Sequence, residues 1–423
     1  MKSCQNLNEM SLWMKRYVLT GCLLVLFTVN DCESFKPSLR KSSTNLNEKD
    51  EKTESGSQLF LKVVKTARRK VQSSSSSGCE VWTQLGNDLY GNALNETFGT
   101  SLALSQNATR LAVGGLGTLR IYSIVSNSSS WSFPIDLSSM ITNTIASISI
   151  TPDGNFLSVG EVSEDDTGKV YVFGFDTSGG SWSQRGNTIS EGSATDQFGS
   201  SVDISEDGST VIIGAPATEN TPYIRVAILL NNNWLSIKKE ESSAGAYGSS
   251  VTLTSDGTIA AIGATGEGDG AVYIQETSDL SLDANQLLIG EGGGFGAVTS
   301  FSSDGSILAF GSATGKYVKV YTNSEGSFSQ LCKIRGSRND FGSAVDLTED
   351  GQQIVIGSQG QIFVYTATRN SVQLTKFDTT SLENFGSSVS MSGNGNTIAI
   401  GGSAVENGSN TDTGLVRVYQ KNP

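Results

Sequence analysis

The sequence predicts an all-β fold: a seven-bladed β-propeller of four-stranded antiparallel blades, closed by an N-terminal strand that completes the last blade. Three observations predict it. A unit of 44 to 54 residues recurs seven times, starting at 98, 144, 198, 247, 295, 341 and 385. Each unit reads as four short strands, A to D. The chain stops just after strand C of the seventh unit, and a lone strand-D sequence, VWTQLG (81–86), precedes the first unit. Each end supplies what the other lacks. Ring closure removes the sheet edges that a linear array would expose. The rival for repeats of this period, an open β-solenoid, leaves the complementary ends unexplained.

Within a unit the strands follow from side-chain period and turn chemistry. The clearest copy is FGSSVDISEDGSTVIIGA, from Phe198. Strand A alternates, with Val202 and Ile204 on one face. An Asp-Gly or Asn-Gly pair follows and predicts a tight hairpin in which both turn residues take positive φ. Strand B is the VIIGA type and strand C the VYVF type, as at Val170–Phe173 and Val318–Tyr321. Strand D begins at Trp82, Trp131, Trp182 and Trp234, with NQLLIG, SQLCKIRG and SVQLTKF in the other three places. The tryptophans read as packing on outer strands, although a Trp at a strand edge also serves as a sugar platform.

The repeat resembles the FG-GAP family of β-propeller repeats, found in integrin α-chain heads. The residues that carry the resemblance are Phe-Gly at 98, 198, 295, 341 and 385, Tyr247-Gly248, and the later Gly-Ala or Gly-Gly such as Gly214-Ala215. Thr144 starts a copy that has lost the Phe-Gly. The resemblance covers roughly 81–420 and implies the propeller fold; function it marks weakly, because one fold hosts many activities. Integrin-type repeats hold calcium in an Asp-x-Asp-x-Asp-Gly loop. Here the loop is SEDG, TSDG, SSDG or TEDG, which cannot supply the 6–8 oxygens calcium takes. Asp207, Asp256, Asp304 and Asp350 therefore read as turn formers, and no metal or other cofactor is expected. The Phe of Phe-Gly reads as a wedge between blades, its Gly allowing close backbone approach.

Charge divides the chain. Residues 1–78 carry a net +6 and residues 79–423 a net −19, within a total of −13. The division gives three segments: 1–34 a signal peptide or signal anchor, 35–78 a basic, Ser-rich linker, and 79–423 the propeller. Residues 17–29 (YVLTGCLLVLFTV) follow Lys15-Arg16 and are shorter than the roughly 20 apolar residues that span a bilayer. The expected route is secretory, ending outside the cell or tethered with the body facing lumen or exterior, and membrane contact is confined to 17–29 if uncleaved. Ser34-Phe35-Lys36-Pro37 is similar to the junction of bipartite targeting sequences in algae with complex plastids, which makes a plastid the alternative destination. The stretch 58–71 (QLFLKVVKTARRKV) places Phe60, Val64, Ala67 and Val71 on one helical face, as a membrane-surface helix or a transient helix in a tail.

There is no histidine, which excludes Ser-His-Asp and Cys-His catalysis and His-bound zinc. An acidic body makes nucleic acid an unsuitable partner. The Gly-rich EGGGFG (291–296) leads into a strand, whereas a phosphate cradle needs a helix. No repeat adds a strand carboxylate that consistently faces the channel. Cys4, Cys22, Cys32, Cys79 and Cys332 do not make a disulfide scaffold. Asn95, Asn107, Asn127 and Asn407 stand in N-x-Ser/Thr sequons and are candidate glycosylation sites.

Strand order puts the B–C loops and D–A crossings on one face, where the longest and most variable segments lie. Candidate ligand-binding residues there are Glu164, Asp165, Asp166, Glu267, Asp269, Glu406 and Asp412, with Glu191, Asp196, Asp340 and Glu383 in the crossings. Such a face suits a basic partner, a polyamine or loosely held cations; the same acidity also keeps an exported protein soluble. Lys333, Arg335 and Arg338 form a small basic patch that would pair with Asp340 or take an anionic sugar. The function expected is a non-catalytic binding or adhesion module, exported or membrane-tethered, that recognises protein or glycan through this face. The alternatives are a carbohydrate-active hydrolase or lyase using Asp165 or Asp166 at the channel mouth, and a structural wall or matrix protein.

Overall fold

The computed structural model describes residues 82–124, 130–163, 167–191, 194–217, 220–278, 286–358, 360–368, 371–378, 385–404 and 413–422. Glu164, Asp165, Asp166, Glu406, Asp412, Glu383, Asn127, Asn407, Cys79, and the segments 17–29 and 58–71 lie outside them.

Seven antiparallel sheets follow one another along the chain. Strand A of blades 1 to 7 spans Ser101–Leu104, Thr144–Ile150, Ser201–Ile204, Tyr247–Leu253, Val298–Phe301, Ala344–Leu347 and Ser388–Met391. In blade 3, strand A pairs with B (Thr210–Ala215), B with C (Tyr223–Leu230), and C with D (Asn233–Glu241). Blade 7 draws on both ends of the chain: Leu415–Lys421 is its strand C, and Trp82–Gln84 pairs with it as strand D, Trp82 opposite Lys421. The ring joins at blades 7 and 1, where Ser388 Oγ donates to the Gly99 carbonyl at 2.6 Å and the Leu104 N–H donates to Ser390 Oγ at 3.1 Å.

Two glycines per unit explain the repeat. Phe98, Phe198, Tyr247, Phe295, Phe341 and Phe385 have no exposed surface, and each fills an apolar cluster shared with the preceding blade. Phe98, for example, sits with Ala399, Val416 and Val418 of blade 7. The glycine after each aromatic has φ between 84° and 99°, a left-handed conformation that side chains resist. Sixteen residues after each start lies a second glycine, in strand B. Gly160, Gly214, Gly263, Gly311, Gly357 and Gly401 lie so close to the first glycine of the next blade that a Cβ would run into its carbonyl. Wedge and close approach are thus two halves of one seam.

The A–B connection departs from the expected two-residue hairpin. It is five residues long in every blade, and of the Asp-Gly pair only Gly takes positive φ, as at Gly208 (65°). A side-chain lattice sets its shape. Ser205 Oγ donates to Asp207 Oδ1 at 2.7 Å, the Ser209 N–H donates to the same oxygen at 2.9 Å, and the Thr210 N–H donates to Ser205 Oγ at 3.0 Å. An Asp that hydrogen-bonds the backbone two residues on needs no left-handed φ of its own. The same bonds recur around Asn107, Asp153, Asp256, Asp304, Asp350 and Asn394. In blade 1 the glycine is replaced by Ala108, held at φ 56°.

Candidate functional site

The two faces of the ring are built differently. On the A–B face the turns are knitted to one another by backbone hydrogen bonds: Ser303 N–H to Glu349 O (3.1 Å), Glu349 N–H to Gly393 O (3.0 Å), Gly393 N–H to Gln106 O (2.9 Å) and Glu206 N–H to Ser255 O (2.8 Å). The Gln106 side chain crosses from blade 1 to blade 5, its Nε2 donating to Ser303 Oγ at 2.7 Å. This face is uniform, and the channel is bridged there.

The opposite face is variable. Its B–C connections run from two residues in blades 1 and 6 to twelve in blade 7. Several of its cations are paired internally. Arg120 meets Glu96 at 2.7 Å, both almost fully buried, and Glu96 also accepts from the Ala93 N–H and Thr118 Oγ1. Arg417 grips Asp88 through two hydrogen bonds of 2.8 and 2.7 Å, which hold that carboxyl below its usual range against the effect of burial. Arg225 pairs with Glu191. Lys333, Lys319 and Arg335 converge on Glu291, so Lys333 and Arg335 of the basic patch are paired from the 290–294 crossing rather than by Asp340, which stands exposed with φ 59°, and Arg338 is exposed beside it. The physical reason is register: strand D of blade 5 carries Lys333 and Arg335 alongside Tyr317 and Lys319 of strand C, which face that crossing.

Of the candidate ligand-binding residues, two are described, side by side in the blade 4 loop. Asp269 is exposed; Glu267 is half-buried and accepts from Tyr273 Oη at 2.5 Å. Asp196 is buried, accepting from Asn220 Nδ2 at 2.7 Å, and so braces the crossing rather than facing a partner. Leu94 and Leu116 are exposed on this face at 59% and 46%. Asn95 lies in the 91–97 loop with φ 58°, whereas Asn107 is tied into its turn, Nδ2 donating to Asp153 O at 3.1 Å. Trp182 and Trp234 are buried, which fits packing and not a sugar platform. Cys332 is buried and unbridged. Among the described residues no cluster of three or more His, Cys, Asp or Glu is placed to hold a metal, and no helix is long and apolar enough to cross a membrane.

The channel corrects one expectation. Asp203 and Asp346, on strand A of blades 3 and 6, do line it. They occupy the position five residues after the repeat start, where the other blades carry Ala103, Ser149, Thr252, Ser300 and Ser390. Asp203 accepts from Ser149 Oγ (2.5 Å), the Ile204 N–H (2.9 Å), Thr252 Oγ1 (3.0 Å) and the Leu253 N–H (2.7 Å). Asp346 accepts from Ser300 Oγ (3.0 Å), the Leu347 N–H (2.9 Å), Ser390 Oγ (3.1 Å) and the Met391 N–H (2.8 Å). Each carboxylate thus ties three blades together. The cause is elementary: strand A is the inner edge of its sheet, its lumen-facing N–H groups have no next strand, and buried donors demand acceptors. Burial pushes both carboxyls above the usual Asp range, and the four hydrogen bonds on each offset this in part. The signal in the sequence is the column itself, in which two Asp stand among small and hydroxyl residues.

Comparison with known proteins agrees with this architecture. The family model described as FG-GAP repeat matches residues 182–223, from strand D of blade 2 to the start of strand C of blade 3. The crystal structure of the Myceliophteria thermophila Cps50 (Swd1) β-propeller domain superposes with a TM-score of 0.57 at 12% identity, covering 79% of this chain and 99% of that one. At that identity the likeness concerns the fold alone. No curated protein matches the chain. The chain is a seven-bladed β-propeller, and its residues 182–223 match the FG-GAP repeat.

Proposed function

We propose that this propeller is a non-catalytic binding or adhesion module, exported or membrane-tethered, that engages a protein or glycan through its B–C/D–A face. The observation that carries the reading is the asymmetry of the faces. Seven turns of one length, several joined by backbone hydrogen bonds, stand on one side, whereas the connections on the other side run from two to twelve residues. Variable loops on a rigid scaffold are where recognition is usually built. The internal pairing of Arg120, Arg225, Lys319 and Arg417 supports it, because it fixes the crossings and leaves exposed groups such as Asp269, Leu94 and Leu116 for a partner.

Hydrolase or lyase chemistry finds less support. A general base needs a carboxylate with a free lone pair aimed at substrate. Asp203 and Asp346 instead have four donors each.

The test is a glycan and cell-surface binding panel run on the wild-type chain, on a Glu267→Gln/Asp269→Asn variant, and on Glu349→Gln from the opposite face. Binding without turnover, weakened by the first variant and unaffected by the second, is expected. Turnover of a polysaccharide, or loss of binding through Glu349→Gln, would overturn the reading.

A further inference from the structure

Basic residues are scarce in the propeller and unevenly placed. Five of the sixteen Lys and Arg of residues 79–423 fall between 316 and 338. The single acid in that span, Glu325, sits at the C–D hairpin tip on the other face. Topology gathers the five. Lys316 ends the B–C loop of blade 5, Lys319 and Lys333 oppose each other on strands C and D, and Arg335 and Arg338 stand where strand D gives way to the crossing. Two bonds fasten loop to crossing: the Gly336 N–H donates to the Lys316 carbonyl at 2.9 Å, and Lys316 Nζ donates to Asn339 Oδ1 at 2.7 Å.

The cluster has two layers. Lys319 and Lys333 are almost fully covered, and Glu291 answers both. Above them, Arg335 is 48% exposed and lies 3.6 Å from the same carboxylate, beyond hydrogen-bond length. Arg338 is exposed and has no partner among the described residues. The partner of Lys316 is a neutral amide. The carboxylates at hand are Glu291, Asp340 and Asp269, the last beside Gly292. Five cations less three carboxylates leave a local net of +2 on a body of −19.

That surplus calls for an anion, and the surroundings narrow its class. Guanidinium groups grip oxyanions through paired N–H donors. The rim around them carries Thr314, Ser337 and Asn339, exposed hydroxyl and amide groups suited to sugar hydroxyls. No large apolar side chain is exposed over 313–318 or 335–343, so a protein partner finds no anchor to bury. A dense polyanion such as a nucleic acid would be repelled by the rest of the body. We propose that this patch is a subsite for an acidic glycan, whose carboxylate or sulfate group is held by Arg335, Arg338 and Lys316 and whose hydroxyls meet the Thr314–Ser337–Asn339 rim. The inference goes beyond the reading of the face as a whole, since it needs none of the acidic loops.

The experiment is calorimetric titration of the full chain with oligogalacturonate and with sulfated dextran, against plain dextran and polyglutamate. Saturable binding of at least one acidic glycan, weakened by added salt, is expected, with none to dextran and less to polyglutamate. Oligogalacturonate binding assigns the carboxylate, and binding of sulfated dextran alone assigns the sulfate ester. Arg335→Gln and Arg338→Gln should each weaken binding at least about tenfold. Asp340→Asn should tighten it, and Asn tolerates the left-handed φ of that exposed position. Glu267→Gln/Asp269→Asn, which tests the loop-face reading, should leave it undiminished, so the two readings fail separately. No binding of either glycan, equal binding of dextran or polyglutamate, or binding unmoved by both arginine variants would overturn the proposal.

Discussion

Single residues carry the seams between blades. An added Cβ at Gly214 or Gly357 meets the backbone carbonyl of the next blade, and backbone cannot step aside as a side chain can. Gly214→Ala is therefore expected to cost about 1–3 kcal/mol, the usual range for overpacking, measured by urea unfolding. Ala108 tests the opposite sign. It holds the left-handed position that glycine fills in the other turns, so Ala108→Gly is expected to stabilise by about 1 kcal/mol. A fall in stability would show that the five-residue lattice, and not the φ of that one residue, sets the turn. Much at this scale was legible in the sequence. The Phe-Gly starts and the glycine sixteen residues later stand in plain sight, and their burial and close approach follow from residue type. The turn aspartates were legible as turn formers because a lone carboxylate cannot build a calcium shell. The turn type was not, because the Ser205–Asp207–Ser209 lattice depends on a hydroxyl two residues before the Asp.

At the scale of the element, strand A is the inner edge of every blade, and its unpaired N–H groups shape the channel. Two opposing pH effects follow. For the turn aspartates, such as Asp207 and Asp256, burial pushes the carboxyl up but hydrogen bonds from the neighbouring hydroxyl and N–H groups outweigh it, so they sit below the usual range. Their contribution is present at neutral pH and is lost in strong acid, below the unfolded value of about 3.9. Asp203 and Asp346 are raised, so the folded state holds their protons more tightly than the unfolded state does. Stability should therefore rise as pH falls from neutral toward the unfolded value of about 3.9, and decline again below it. With no histidine in the chain, nothing else ordinarily titrates in the upper part of that window. Calorimetric melting between pH 7 and 4 checks this: the rise should be present in the wild-type chain and flattened in Asp203→Asn/Asp346→Asn. The role of these two residues is not legible in a single repeat. An Asp in SVDIS looks like a solvent-facing alternate of a half-buried strand, and only the ring places it in a seam between three blades.

For the whole molecule, closure and the inequality of the faces are the consequential features. Trp82–Gln84 pairs with Leu415–Lys421, Leu89–Tyr90 extends the same sheet, and Asp88 holds Arg417 in two hydrogen bonds. A chain starting at Ala93 lacks all three and leaves blade 7 with an open edge. Its melting temperature is expected to fall by about 10 °C relative to a chain starting at Cys79; equal melting would mean that the ring does not depend on its N-terminal strand. The count of seven strand sets with mismatched ends made this closure legible, whereas the pairing of face cations was not. Arg120 finds Glu96, and Lys333 finds Glu291, through crossings whose paths the sequence does not specify. The proposed function assigns recognition to the B–C/D–A face. Hydrogen exchange read by mass spectrometry, on the chain alone and saturated with a ligand from the binding panel, tests it most directly. New protection is predicted in the crossings and loops around 87–97, 137–143 and 265–270. Protection confined to the A–B turns, such as 105–109 and 302–306, would contradict it.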